Sequence, residues 1–210
     1  MPRLVDHAER RAQITDAARR VIGREGLEAA TFQAVATEAG VSVRLVQYYF
    51  GNKDGLLAAT HRAVVDASAA RFGAGGPAPR TPPTPYDVLR GVVVALLPLD
   101  AERRADAVVL AAFHAAALTR GPAAQEALLP APRALVDVVA EQLDRARGVV
   151  GPGERAADTT KDAELALAAL AGLTQSVVAR HLEPAEALAV AERLLEHLLG
   201  APPGRSAPSS

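Results

Sequence analysis

The chain has 210 residues, half of them hydrophobic, and a formal net charge of −1. That is enough apolar material for a packed core, and its bias to Ala, Leu and Val points to helix. The absence of cysteine excludes disulfides and thiolate metal sites and fits a reducing cytoplasm, while the near-zero charge excludes a chain coated in positive charge for nucleic acid.

The opening MPRLVDHAERRAQ is polar where a signal peptide needs an apolar run. Ile14, Ala17, Ala18, Val21 and Ile22 then recur at helical spacing, with arginines on the other side. Gly26 fits a left-handed stop and Leu27 the apolar contact after it. Thr31 sits where an N-cap belongs for a short helix Phe32–Ala39, which Gly40 ends, and Ser42 caps the next, Val43 to about Phe50. A fourth helix is predicted from near Lys53 to about Phe72. The Gly/Pro-rich stretch 73–85 cannot continue it and reads as a loop or linker. Beyond it, helices are predicted over 86–97, 101–119, 122–147, 159–180 and 184–199, with breaks at Pro98, Gly121-Pro122, Gly148 to Gly153 and Pro184. The tail 201–210 reads as disordered. No strand-like alternation and no repeat is found. The expected fold class is all-α: a helical N-terminal unit, residues 1–55, and a larger bundle, residues 56–200.

Two helices joined by a turn as short as AGVS (Ala39–Ser42) must cross steeply, which is helix-turn-helix geometry. That crossing needs a small Ala36, a positive φ at Gly40, and apolar Val35, Ala39, Val41 and Val46; all six comply. An ordinary helical hairpin in a core is the plainer alternative. On this geometry Val46 and Phe50 point inward, and Arg44, Gln47 and Tyr48 point outward, where a DNA major groove would meet them. Arginine can bond guanine O6 and N7, glutamine can bond adenine N6 and N7, and tyrosine can press on a thymine methyl or reach a phosphate. Tyr49 and Lys53, at the trailing end, suit backbone phosphates. Interhelical packing is the alternative for each of the two tyrosines.

The segment TFQAVATEAGVSVRLVQYYFGNKDGLL resembles the DNA-binding signature of TetR-family transcriptional regulators, within a likeness covering roughly residues 8–65. The elements that carry it are Thr31, Ala36, Ala39 to Ser42, Tyr48 to Phe50, Lys53 and Leu56-Leu57. The resemblance implies that Thr31, Gln33, Ser42, Arg44, Gln47, Tyr48, Tyr49 and Lys53 form the operator-binding surface. It departs at Gln47, where many members have tyrosine, and at Arg44, where a small residue is common; both bear on which bases are read. The wording LVQYYFGNKDGLL is nearest to the choline-responsive BetI-like branch. The family also implies a C-terminal half that dimerises and binds a small effector.

Residues Leu165 to Ala179 carry no charge, so their helix lacks an obvious water-facing side. The run is shorter than the ~20 residues a membrane span needs. Burial against a second subunit, or inside one thick bundle, would account for it. The last helix adds a stripe of Leu188, Ala191, Leu194, Leu195 and Leu198, and Gly172 would permit close approach. For the effector, His114 appears as a polar group on a stripe of Leu110, Phe113, Ala117 and Leu118. Phe113, His114 and Gln175 are the candidate ligand contacts, with satisfied core residues as the alternative.

The five histidines show no ligand spacing, and no HExxH, phosphate loop or GxSxG is present, so no metal, cofactor or catalytic residue is expected. The reading is a homodimeric repressor that binds double-stranded DNA at an inverted repeat and is released by a small apolar or neutral ligand. A dimeric DNA-binding regulator without an effector is the alternative.

Overall fold

The computed structural model describes residues 3–74, 82–120, 133–148 and 158–200. The first part, 122–132, of the helix expected over 122–147, most of the 73–85 loop and the tail 201–210 lie outside these residues. Among the described residues there are nine α-helices and no strand: α1 (Arg3–Glu25), α2 (Phe32–Ala39), α3 (Val43–Phe50), α4 (Lys53–Ala74), α5 (Pro85–Leu96), α6 (Ala101–Arg120), α7 (Arg133–Ala146), α8 (Thr159–Val178) and α9 (Pro184–Leu199). Each helix that the sequence places in this span is found, with ends shifted by a residue or two where the whole helix is described.

Local chemistry explains the starts. Thr31 Oγ1 accepts from Ala34 N at 3.1 Å and Ser42 Oγ from Leu45 N at 3.2 Å, so both short helices carry the side-chain caps their sequence announces. Thr84 and Asp87 form a reciprocal capping box at the head of α5, and at α9 the Glu183 N–H donates to Glu186 at 3.0 Å, each start followed by proline in the first turn. Gly40 adopts φ 67°, ψ 32°, the left-handed conformation that lets α2 stop and α3 leave within three residues. Gly26 differs from expectation. Its φ is positive at 86°, but its ψ of 171° sends the chain out extended and into a single 3₁₀ turn, Leu27–Ala29, absent from the sequence reading. That path drops Leu27 into the core.

The chain forms two compact units that do not follow its sequence order. One comprises residues 1–70 and 101–131, the other 71–100 and 132–210. The expected division at residue 55 falls inside α4, and α6 associates with the N-terminal helices. The reason is apolar: Val109, Phe113 and Ala117 of α6 are fully buried, and Val109 and Phe113 join one core with Ile14, Ala17, Ala18, Val21, Val35, Val46, Leu56 and Leu57. Asp106, one turn earlier and almost wholly buried, is met by Arg19 of α1 at 2.9 Å.

The second unit packs α5, α7, α8 and α9 around Leu89, Val93, Leu97, Leu143, Leu170, Val177 and Leu195. A buried polar join is made by Thr159 at the start of α8, which donates to Asp144 Oδ1 of α7 at 2.8 Å, with Arg147 bonded to both Thr159 and Asp162. Arg90 of α5 pairs with Glu192 of α9 at 2.7 Å.

Candidate nucleic-acid interface

The eight residues of α3 divide cleanly. Val46 is fully buried and Phe50 nearly so, whereas Arg44, Gln47 and Tyr48 are exposed, Tyr48 to 74%. The steep crossing over the small, buried Ala36 holds this face outward. On α2, Gln33 is exposed beside the capping Thr31. Among the described residues, none hydrogen-bonds the side chains of Gln33, Arg44 or Gln47. Three polar groups able to read base edges therefore stand unpartnered on one surface of a helix-turn-helix.

The rings behind them are locked. Tyr48 and Tyr49 meet edge-to-face at 5.3 Å, and Tyr49 tilts on Phe50 at 6.4 Å. Phe50 is the core anchor, and the guanidinium of Arg11 lies 4.8 Å from its ring centroid. Arg11 also donates to the Tyr49 carbonyl at 2.7 Å, while the Tyr49 hydroxyl is 2.7 Å from His7 Nδ1. Gln13 donates to the Ala39 carbonyl at 2.8 Å, satisfying the end of α2 where the turn begins.

A second set of charges ties α1 to α2. Glu38 accepts from Arg20 at 2.6 Å and from Arg24 at 2.8 Å. Hydrogen bonds from Arg24 and then Arg20 hold the Glu38 carboxyl below the usual carboxylate range, and both guanidiniums are raised, chiefly by their bonds to Glu38. Asp16 bonds Arg19 and Arg20 in turn. Arg19, Arg20 and Arg24 are thus paired with carboxylates within the unit, whereas Arg10 and Arg11 of the same helix bond the neutral Gln13 side chain and the Tyr49 carbonyl.

Lys53 is half-buried, and its ammonium bonds the carbonyl and carboxylate of Glu28 at 3.1 and 3.0 Å. It stands at the head of α4, where Asn52 Oδ1 accepts from Gly55 N at 2.8 Å as the N-cap. Gly55 has no room for a side chain: a Cβ there would lie 2.3 Å from the Phe50 carbonyl oxygen. This close approach fixes the angle at which α3 hands over to α4.

The surface expected to bind the operator (Thr31, Gln33, Ser42, Arg44, Gln47, Tyr48, Tyr49 and Lys53) therefore sits on the outer face of one unit. The positioning residues His7, Arg11, Gln13, Glu38, Asn52 and Gly55 were not singled out by sequence reasoning. Only the four-residue spacing of His7 and Arg11, one face of α1, could have hinted at a shared task.

The expected ligand residues belong to two different units, Phe113 and His114 to the first and Gln175 to the second. Phe113 is core, its ring edge-on to His61 at 5.1 Å. His114 is exposed and its Nδ1 is 2.8 Å from the Leu110 carbonyl, while Leu118 is 77% exposed. The buried stripe of α6 is Val109, Phe113 and Ala117 (positions i, i+4, i+8), which turns His114 and Leu118 to solvent and corrects the expected stripe. Gln175, in the other unit, is also exposed.

Two family models match. One, for bacterial regulatory proteins of the tetR family, spans residues 14–60 and so covers the helix-turn-helix just described. The other, the C-terminal part of BetI-type transcriptional repressors, spans residues 85–200, more than half of the chain. The chain belongs to the TetR family. It is a BetI-like transcriptional regulator, not an enzyme. The regulator BetI of Burkholderia mallei is 44% identical over 84 residues, 38% of this chain and 43% of that protein. BetI of Paraburkholderia phytofirmans is 48% identical over 65 residues, 31% of this chain and 33% of its own. The aligned segments thus span less than half of these relatives. A TetR-family regulator from a Rhodococcus species shares the fold with a TM-score of 0.76 at 22% identity, over 92% of this chain and all of its own. A transcriptional regulator of Saccharomonospora viridis, crystallised with choline, has a TM-score of 0.74 at 21% identity, over 90% of this chain and 97% of that one. At such identities the likeness speaks for the fold of this TetR-family regulator alone. Among its described residues no helix is long and apolar enough to cross a membrane.

Proposed function

We propose that this regulator is a homodimeric repressor whose two α3 helices read an inverted-repeat operator. The observation that carries the reading is the unpartnered row of Gln33, Arg44 and Gln47 on the outward face of a capped, rigidly held helix-turn-helix. Arg44 and Gln47 read base edges, Tyr48 meets a thymine methyl or a phosphate, and Thr31, Ser42, Tyr49 and Lys53 fix the register on the backbone.

The dimer rests on the uncharged part of α8, from Leu165 to its end. Ala163, Ala166, Leu170 and Val177 are buried within the chain, but the opposite face leaves Leu165 58% exposed, with Ala168, Gly172 and Gln175 beside it. Nothing lies within 4 Å of a Cβ built on Gly172, and Val190 of α9 is 50% exposed. A face this apolar, with small residues at its centre, suits close approach of a symmetry mate. Two half-sites on successive major-groove faces, about 34–36 Å apart, would then be engaged together.

The effector is a small apolar or neutral molecule that favours a spacing of the α3 helices unsuited to the operator. Between residues 56 and 200 the aromatic residues of the sequence are Phe72, Tyr86 and Phe113, and Phe113 is core. The aromatic cage that recognises a quaternary ammonium such as choline lacks its rings here.

The test is a footprint on the DNA flanking the gene, with the native protein at moderate salt. Protection of one inverted repeat supports the reading; equal affinity for scrambled DNA overturns it. Leu165→Glu should dissociate the dimer in sedimentation without loss of helical circular dichroism. Melting against a metabolite panel identifies an effector by the rise in stability it causes, and a panel with no rise favours a regulator without one.

A further inference from the structure

We propose that His7 is a positioning residue that governs the phosphate contact of Tyr49, making operator affinity rise as pH falls. The proposal rests on the operator reading above. Its observation is separate: α1 grips Tyr49 at two points. Arg11 holds the backbone carbonyl, and His7, one turn earlier on the same face, holds the hydroxyl with Nδ1 2.7 Å from Oη. The two rings meet edge-to-face at 5.7 Å and 63°.

The fold does not need this second grip. Tyr49 is half-buried and His7 exposed, and a phenylalanine would fill the same space. What the hydroxyl adds is one O–H donor and two acceptor sites. When Nδ1 carries no proton, the imidazole takes the phenolic hydrogen, and the phenol oxygen offers a phosphate only lone pairs. When both ring nitrogens carry protons, Nδ1 donates to the phenol oxygen and the O–H is released toward the phosphate; a neutral ring does so only by leaving its Nε2–H tautomer, and it adds no charge. Donation into the oxygen also strengthens that O–H as a donor. With a second hydrogen bond of ordinary length to phosphate, the imidazolium stands about 4–5 Å from the anion.

His7 therefore competes with DNA for the tyrosine hydrogen in one protonation state and supports the contact in the other. Histidine changes charge in the range of pH 5–8, so a bound phosphate favours proton uptake and affinity rises with acidity. From α3 the group that meets the ring is Tyr49, with Tyr48 edge-on to that residue. Along α1, Arg10 and Arg11 follow by three and four residues, bonded to Gln13 and to the Tyr49 carbonyl. Among the residues from His7 onward whose side chains are described, no group of α2 or α4 and no carboxylate bonds the imidazole.

The experiment measures Kd for the footprinted operator at about pH 6 and about pH 8, at fixed salt, for the full chain and for His7→Gln, Tyr49→Phe and the double variant. The wild type should bind about tenfold tighter at the lower pH, and Tyr49→Phe should reduce that ratio to about twofold or less although His7 is still present. His7→Gln, whose amide N–H donates at every pH, should bind with little pH dependence. The cost of removing His7 should vanish once the hydroxyl is gone. A pH ratio that persists in Tyr49→Phe, or an equal cost of His7→Gln with and without the hydroxyl, overturns the proposal. A wild type that prefers no repeat sequence at either pH refutes the operator reading itself, which is a different result.

Discussion

Phe113→Ala separates two roles for the same side chain. The sequence makes it a candidate ligand contact; the structure buries it completely in the core that α6 shares with α1, α2, α3 and α4. Removing the ring uncovers roughly 130 Å² of apolar surface, worth about 3 kcal/mol at ~25 cal/mol per Å². The cavity left behind and the lost edge contact with His61 bring the cost to about 4 kcal/mol. That is a large part of the 5–15 kcal/mol that holds a typical domain folded, so operator binding should fail with it. Urea unfolding followed by circular dichroism reads the effect directly: the midpoint should fall by roughly 2 M for a slope of about 2 kcal/mol per M. Phe113→Leu, which keeps most of the volume, should lose far less. A cost below about 1 kcal/mol, or intact stability with a lost effector response, would refute the placement of α6 in the DNA-reading unit and restore the ligand role.

Three further outcomes follow from the site. Lys53→Ala should weaken binding to all sequences and flatten its salt dependence, and Glu28→Gln, which removes the competing carboxylate and leaves only the carbonyl bond, should do the reverse in a salt titration. Thr31→Ala and Ser42→Ala should each cost about 1 kcal/mol in a denaturant titration, with glycine at either position costing only a few tenths. For Glu38, whose native carboxyl is held below the ordinary range by Arg24 and Arg20, the stabilising contribution is present above the unfolded carboxylate pKa and is lost as pH falls through the native one. Glu38→Gln should therefore shrink the fall in melting temperature between about pH 5 and pH 3, and an unchanged acid limb would contradict the clamp.

The helix-turn-helix was legible because its constraints are local. Thr31, Gly40 and Ser42 act on groups within a few residues, and the alternation of Val46 and Phe50 with Arg44 and Gln47 follows from the pitch of one helix. The grips on that helix were not legible. His7 reaches Tyr49 and Glu38 reaches Arg20 across 42 and 18 residues, through polar side chains that carry no periodic signature. His114 shows the limit of periodicity: of the expected stripe Phe113 and Ala117 are buried, but His114 and Leu118 are exposed, because the buried face centres on Val109, Phe113 and Ala117, a choice that only a packing partner can set.

The sequence by itself determined the elements, the turn, and the chemistry displayed on α3, since caps, glycine conformations and helical pitch are settled by near neighbours. Tertiary structure alone decided that α6 joins the N-terminal core, that Arg19, Arg20 and Arg24 of α1 are spent on Asp16, Glu38 and Asp106, and that Lys53 is held by Glu28. Those outcomes depend on which apolar faces meet and which charges they bring together, and burial links residues without regard to their distance along the chain.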